Sequence, residues 1–145
     1  MGWQAYGLDR EAQRLVIDAL EVDQKDQIQG EKCLREAYKM RESVAYGLER
    51  FWGEHLRHLD KEGRTTKKSK YWKDVWDTLA NILDKADVKL PDDSNPKAMA
   101  KKLWGENPVD SSGKTLTLED QRLALAVLTQ LCDCLVWWTQ RYKTT

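Results

Sequence analysis

LALAVLTQLCDCLVWW, residues 123–138, is the longest strongly apolar run in the chain, sixteen residues interrupted by Gln130 and Asp133. A membrane span needs roughly 20 apolar residues, so this run falls short of one. It is apolar nearly all round, and a helix of that kind lies inside a protein. The run therefore reads as the buried central helix of a bundle, covering about 118–142. Thr117 followed by Asp120 resembles a capping box at its start.

Working outward, the helical period recurs and no segment shows sustained alternation with β-branched residues. A first helix is predicted over about 9–24, with Asp9 as N-cap and Leu15, Val16, Ala19 and Leu20 on one face. A polar stretch ends at Gly30. A long second helix is predicted over about 31–61, with Leu34, Ala37/Tyr38, Val44/Ala45, Leu48, Phe51/Trp52, His55/Leu56 and Leu59 as its stripe and Gly63 as its stop. The third, about 69–87, carries Tyr71/Trp72, Val75/Trp76, Leu79, Ile82/Leu83 and Ala86. LPDDSNP (90–96) is a loop, and Asn95-Pro96 opens a short helix to Trp104, closed by Gly105. The polar segment ENPVDSSGKTL is expected to be mobile. The fold class is all-α: one helical-bundle domain, 1–145, of about five helices, with a long second helix and a buried C-terminal one.

The 145 residues and 16.9 kDa suit one domain with a real core. Seven tryptophans and a 41% apolar share argue against disorder. Three cysteines, Cys33, Cys132 and Cys134, lie in apolar helical patterns, which predicts reduced thiols and a cytoplasmic protein. The N-terminal MGWQAYGLDREAQ lacks the apolar core of a signal peptide and the Ser/Thr of a myristoylation signal. No membrane association is expected.

Catalytic chemistry has little to stand on. There is no Gly-rich phosphate loop. The thiols sit on apolar faces, where burial suppresses the thiolate. His55 and His58, spaced i, i+3 beside Glu54, are the only two histidines and have no further ligand cluster. The expectation is a non-enzyme, with no catalytic residue, no metal and no cofactor.

Charge is the more informative property. The formal net charge is zero, yet residues 1–60 carry net −3, 61–73 net +5, 74–96 net −4 and 97–145 net +2. Within the basic island, GRTTKKSKYWKDVW (63–76) places Arg64, Lys67, Lys68, Lys70 and Lys73 at a helix start. Cations there oppose the helix dipole, so local stability does not explain them, whereas an anionic partner does. Lys97, Lys101 and Lys102 form a second group near a helix start. Arg122, Arg141 and Lys143 would extend a positive track along one side. Plain solvation accounts for a lysine-rich loop equally well. Tyr71, Trp72 and Trp76 belong to a helix stripe and read as core. Trp137 and Trp138 are adjacent, so a helix cannot bury both against one neighbour, and this end reads as a docking surface.

KYWKDVWDTLANIL and LALAVLTQLCDCLVWWTQRYK, in a small tryptophan-bearing helical chain with basic patches, resemble the small subunit of a CRISPR interference (Cascade-type) complex, most of all the type I-D small subunit. The resemblance lies in architecture over most of the chain, and it carries over no residue roles. It implies a non-catalytic subunit whose partners are the guide RNA–target DNA assembly, other subunits and further copies of itself head to tail. The family's role implies phosphate contacts with the target or displaced strand that stabilise the R-loop, with sequence read by guide pairing. On the residues alone, a second reading stands beside it: a helical adaptor that docks a protein through the Trp137/Trp138 end and never touches nucleic acid.

Overall fold

The computed structural model describes residues 2–25, 32–104 and 108–143, with side chains from Gly7 onward except that of Trp104. Among the described residues six α-helices follow one another: α1 (Gly2–Lys25), α2 (Glu36–Ser43), α3 (Leu48–Arg57), α4 (Lys67–Asp84), α5 (Pro96–Trp104) and α6 (Leu118–Tyr142). The described residues form no strand beyond one isolated bridge, Val109 with Thr115. The chain is an all-α bundle.

Helix α6 starts and ends where its sequence pattern does. Thr117 Oγ1 accepts from the Asp120 N–H, closing the expected cap. It packs against α1, α2, α3 and α4 and buries Ala124, Leu128, Leu131, Cys132 and Leu135 completely. Among the described residues it alone has the length and apolarity to cross a membrane, a test that the core helix of a bundle also passes. The expected faces of α1 and α4 are also the buried ones: Leu15, Val16 and Ala19 on α1, and Tyr71, Trp72, Val75, Trp76, Leu79 and Leu83 on α4.

The long second helix does not form. It is broken into α2, a 3-10 turn (Val44–Tyr46) and α3. Gly47 takes φ 94° and ψ 177°, a conformation essentially reserved for glycine, and so ends one helix while opening the next. The break lets α2 lie on α6 while α3 turns to pack on α4 and α5. The apolar stripe survives it, because Ala37, Met40, Val44, Leu48, Phe51 and Trp52 are all buried.

Other boundaries moved for local reasons. Helix α1 begins well before Asp9, whose carboxylate accepts a hydrogen bond from Trp138 Nε1 at 3.2 Å instead of capping α1. The cap of α4 is Thr66, which accepts from the Ser69 N–H and donates to the His58 carbonyl, stitching α3 to α4. Asn95 caps α5 as expected, its Oδ1 accepting from the N–H groups of Lys97 and Ala98. The segment expected to be mobile is pinned from Pro108 to Leu116. Its backbone bonds join Leu116 to Pro108, Val109 to Lys102 and Ser111 to Lys89, and Leu116 is buried. Gly30, where the polar stretch was expected to end, the stop expected at Gly105, and residues 106–107 lie outside the described residues.

Candidate nucleic-acid interface

The corner between α3 and α4 carries the basic island. Asp60 shapes it: its carboxylate accepts from the backbone N–H groups of Glu62 and Arg64 and from the Arg64 guanidinium at 3.1 Å. Arg64 also contacts Glu62 at 3.3 Å. Lys67, Lys68 and Lys70 then occupy the first turn of α4, where the Thr66 side chain caps the Ser69 N–H. Lys70 reaches Asp74 at 2.7 Å, one turn further along. Lys68 is half-buried, close enough for its charge to act on Cys33 and His58. Lys67 and Lys70 flank a shallow cleft lined also by Asp18, Cys33 and Tyr71.

Lys73 differs from its neighbours. Its ammonium bridges Asp77 at 2.6 Å and Asp92 at 3.1 Å, and its side chain is only 28% exposed. Burial acts on its pKa most and lowers it, but the hydrogen bonds and charges of Asp77 and Asp92 together outweigh burial and raise it. Lys73 is therefore a tie between α4 and the 90–95 loop. In the second group, Lys102 is tied in the same way to Asp93 at 3.0 Å. Lys97 and Lys101 are exposed and carry no ion pair among the described residues.

The two basic groups do not fuse into one track. Asp92 and Asp93 stand between Lys73 and Lys102. Arg122 and Arg141 are nineteen positions apart on α6, roughly 28 Å along its axis. What remains is one lysine-rich corner, Arg64 to Lys70, in which Arg64 and Lys70 are themselves paired with Asp60, Glu62 and Asp74 at exposed positions, and a smaller exposed pair on α5.

The two adjacent tryptophans separate as their 100° spacing requires. Trp138 turns inward, bonds Asp9 and stacks on Tyr142, with ring centroids 5.7 Å apart. Trp137 is 53% exposed, with the Arg141 guanidinium 5.6 Å from its ring centre. This end of α6 thus presents Trp137 to solvent, while Trp138 ties α6 to α1.

Sequence reasoning missed Glu36. This carboxylate is 2% exposed and lies under α3 and α4. It accepts from Trp72 Nε1 at 3.1 Å and contacts His58 Nε2 at 3.2 Å and the exposed Lys39 ammonium at 3.4 Å. Burial lowers the His58 pKa, against the opposing pull of Glu36 and Glu54. A glutamate in a polar-looking stretch gives no signal that a tryptophan thirty-six positions away will need an acceptor. The described residues hold no group of three His, Cys, Asp or Glu side chains placed to bind a metal ion. The thiols are free, and burial raises all three pKa values: Cys33 to about 12, Cys134 to about 11, and Cys132 higher still.

No family model matches the chain, and neither does any curated protein or solved structure. The fold and its surface define a helical bundle with a cationic corner at one helix junction and an exposed aromatic at the far end of its core helix.

Proposed function

We propose that the chain is a non-catalytic small subunit of an RNA-guided CRISPR interference complex, holding nucleic-acid backbone through its cationic corner. The observation that carries this reading is the division of labour on α4. Its aromatic residues Tyr71, Trp72 and Trp76 are buried in the bundle. On the same two turns Lys68 is half-buried and Lys70 exposed, both in the first turn of the helix, where cations oppose its dipole. Exposed pairs such as Lys70–Asp74 contribute about 0.2–1 kcal/mol, so a phosphate can displace the aspartate. Such contacts hold a strand in place without reading bases. In this role the chain would work in the cytoplasm, beside the guide RNA–target DNA assembly, other subunits and further copies of itself.

Salt-titrated binding to single-stranded and double-stranded DNA tests the reading. Replacing Lys68, Lys70, Lys97 and Lys101 together by glutamate should weaken binding alike for every sequence. It should also flatten the salt dependence by up to about one unit of slope for each phosphate the variant no longer neutralises. Thermal stability should hardly move in that variant. Trp76→Ala should do the reverse, costing about 3–5 kcal/mol of stability through the cavity it opens in the core. Unchanged DNA affinity in the glutamate variant would leave the corner a solvated loop. The 53% exposure of Trp137 favours the adaptor reading, which absence of any DNA binding at low salt would support instead.

A further inference from the structure

The break at Gly47 leaves a trough between the start of α3, the end of α5 and the first turns of α6. Its walls are Tyr46, Leu48, Leu103, Leu118 and Leu125, around a volume of about 580 Å³. Tyr46 and Leu118 are the two most exposed large hydrophobics among the described residues, at 68% and 60%. Leu48 and Leu103 are buried at its base, so Tyr46 and Leu118 stand as an exposed apolar rim over an apolar floor. Two arginines edge it. Arg50 lies over the Tyr46 ring at 5.0 Å from its centre, and Arg122 projects from α6. Neither has an ion pair among the described residues. The one acid in the lining, Glu49, turns its carboxylate along α3 toward Gly53. The N-terminus of α3 opens beside them without a side-chain cap, adding to the positive potential.

We propose that this trough receives the apolar edge of an amphipathic helix from a partner protein whose flanking residues are acidic. A helix can seat residues spaced i, i+4, i+7 on the leucines and leave its other face in water. A small ligand needs most of its surface enclosed, and walls as exposed as Tyr46 and Leu118 do not enclose one. The arginines set the sign of the partner: carboxylates beside the apolar stripe meet Arg50 and Arg122, and lysines there are repelled. The trough lies at the opposite end of α6 from Trp137 and involves none of the lysines of the cationic corner. It does not rest on the nucleic-acid reading.

Two synthetic helical peptides with one shared leucine stripe, flanked by glutamates in one and lysines in the other, test this against the full chain at physiological salt. The glutamate peptide should bind in the micromolar range and shift the amide resonances of residues 46–50, 103 and 118–125. The lysine peptide should bind at least about tenfold more weakly. Combining Arg50→Glu with Arg122→Glu should reverse that order. Leu118→Ser should weaken both peptides. All three sites lie at the surface, so unchanged melting temperatures show that the variants are folded. Absence of resonance shifts at millimolar peptide overturns the proposal, as does equal affinity for both peptides or failure of the charge swap. Self-association that Leu118→Ser abolishes would assign the trough to a second copy and overturn it too.

Discussion

Glu36 shows how one buried carboxylate organises three helices. It gives the Trp72 indole an acceptor and holds His58 against α4, while Lys39 keeps the cluster in touch with solvent. An indole N–H left without that acceptor would cost about 1–3 kcal/mol. Trp52 and Trp76 have no such partner, so the cluster is particular to Trp72. The cluster also sets a pH dependence. Burial lowers the pKa of His58, and burial likewise dominates the lowering at His55. The unfolded chain therefore binds more protons than the folded one once the pH falls below the ordinary histidine range, near 6.5. Stability should be level above that range and fall as the pH drops through it. Denaturant melts at pH 7.5 and 5.5 read this directly, before the carboxylates titrate. His58→Gln should shrink the difference, and a protein that is more stable at pH 5.5 would refute the assignment.

At the scale of the element, the break in the second helical segment is the decisive event. The apolar stripe continues across Val44 and Leu48, so periodicity alone favours one long helix. A straight rod would carry α3 past α4. The 3-10 turn and Gly47 redirect it so that Phe51 meets Trp72, with ring centroids 5.1 Å apart. No heavy atom crowds the position that a Cβ would take at Gly47, so its requirement is the backbone conformation and not space. Gly47→Ala should accordingly destabilise the fold by about 1–3 kcal/mol, the strain of holding a residue with a Cβ at that φ and ψ. Equilibrium unfolding measures it. A variant as stable as the parent would mean that the hinge can relax to ordinary dihedrals.

On the scale of the whole molecule, charge is balanced by pairing within the chain. Lysines of the basic segment meet aspartates of the acidic segment that follows: Lys70 with Asp74, and Lys73 with Asp77 and Asp92. These pairs use up part of the opposition between segments that would otherwise draw copies together head to tail. The isolated protein should sediment as a monomer at physiological salt and associate weakly only as salt is lowered, because screening ends such contacts beyond about 8 Å at 0.15 M. Contacts of that heterologous kind do not close on themselves. A tight, salt-insensitive closed dimer in sedimentation would count against this picture.

The sequence by itself determined the all-α class, the span of α6, the faces of α1 and α4, and the caps at Asn95 and Thr117. Each rests on neighbours within one or two turns, where periodicity and hydrogen-bonding side chains act locally. It also placed the lysines at the start of α4, because a helix start is a local signal. Which lysines are held and which face solvent was decided by tertiary structure. Asp92 and Asp93 reach Lys73 and Lys102 only once the 90–95 loop folds back between α4 and α5. Tertiary packing likewise moved Asp9 from a cap to a partner of Trp138, 129 positions away, and buried Glu36 against Trp72. The trough at Gly47 belongs to the same class, since its walls come from three separate segments. Contacts between distant positions depend on where the helices cross, and the chain settles those crossings only by burying all its apolar faces at once.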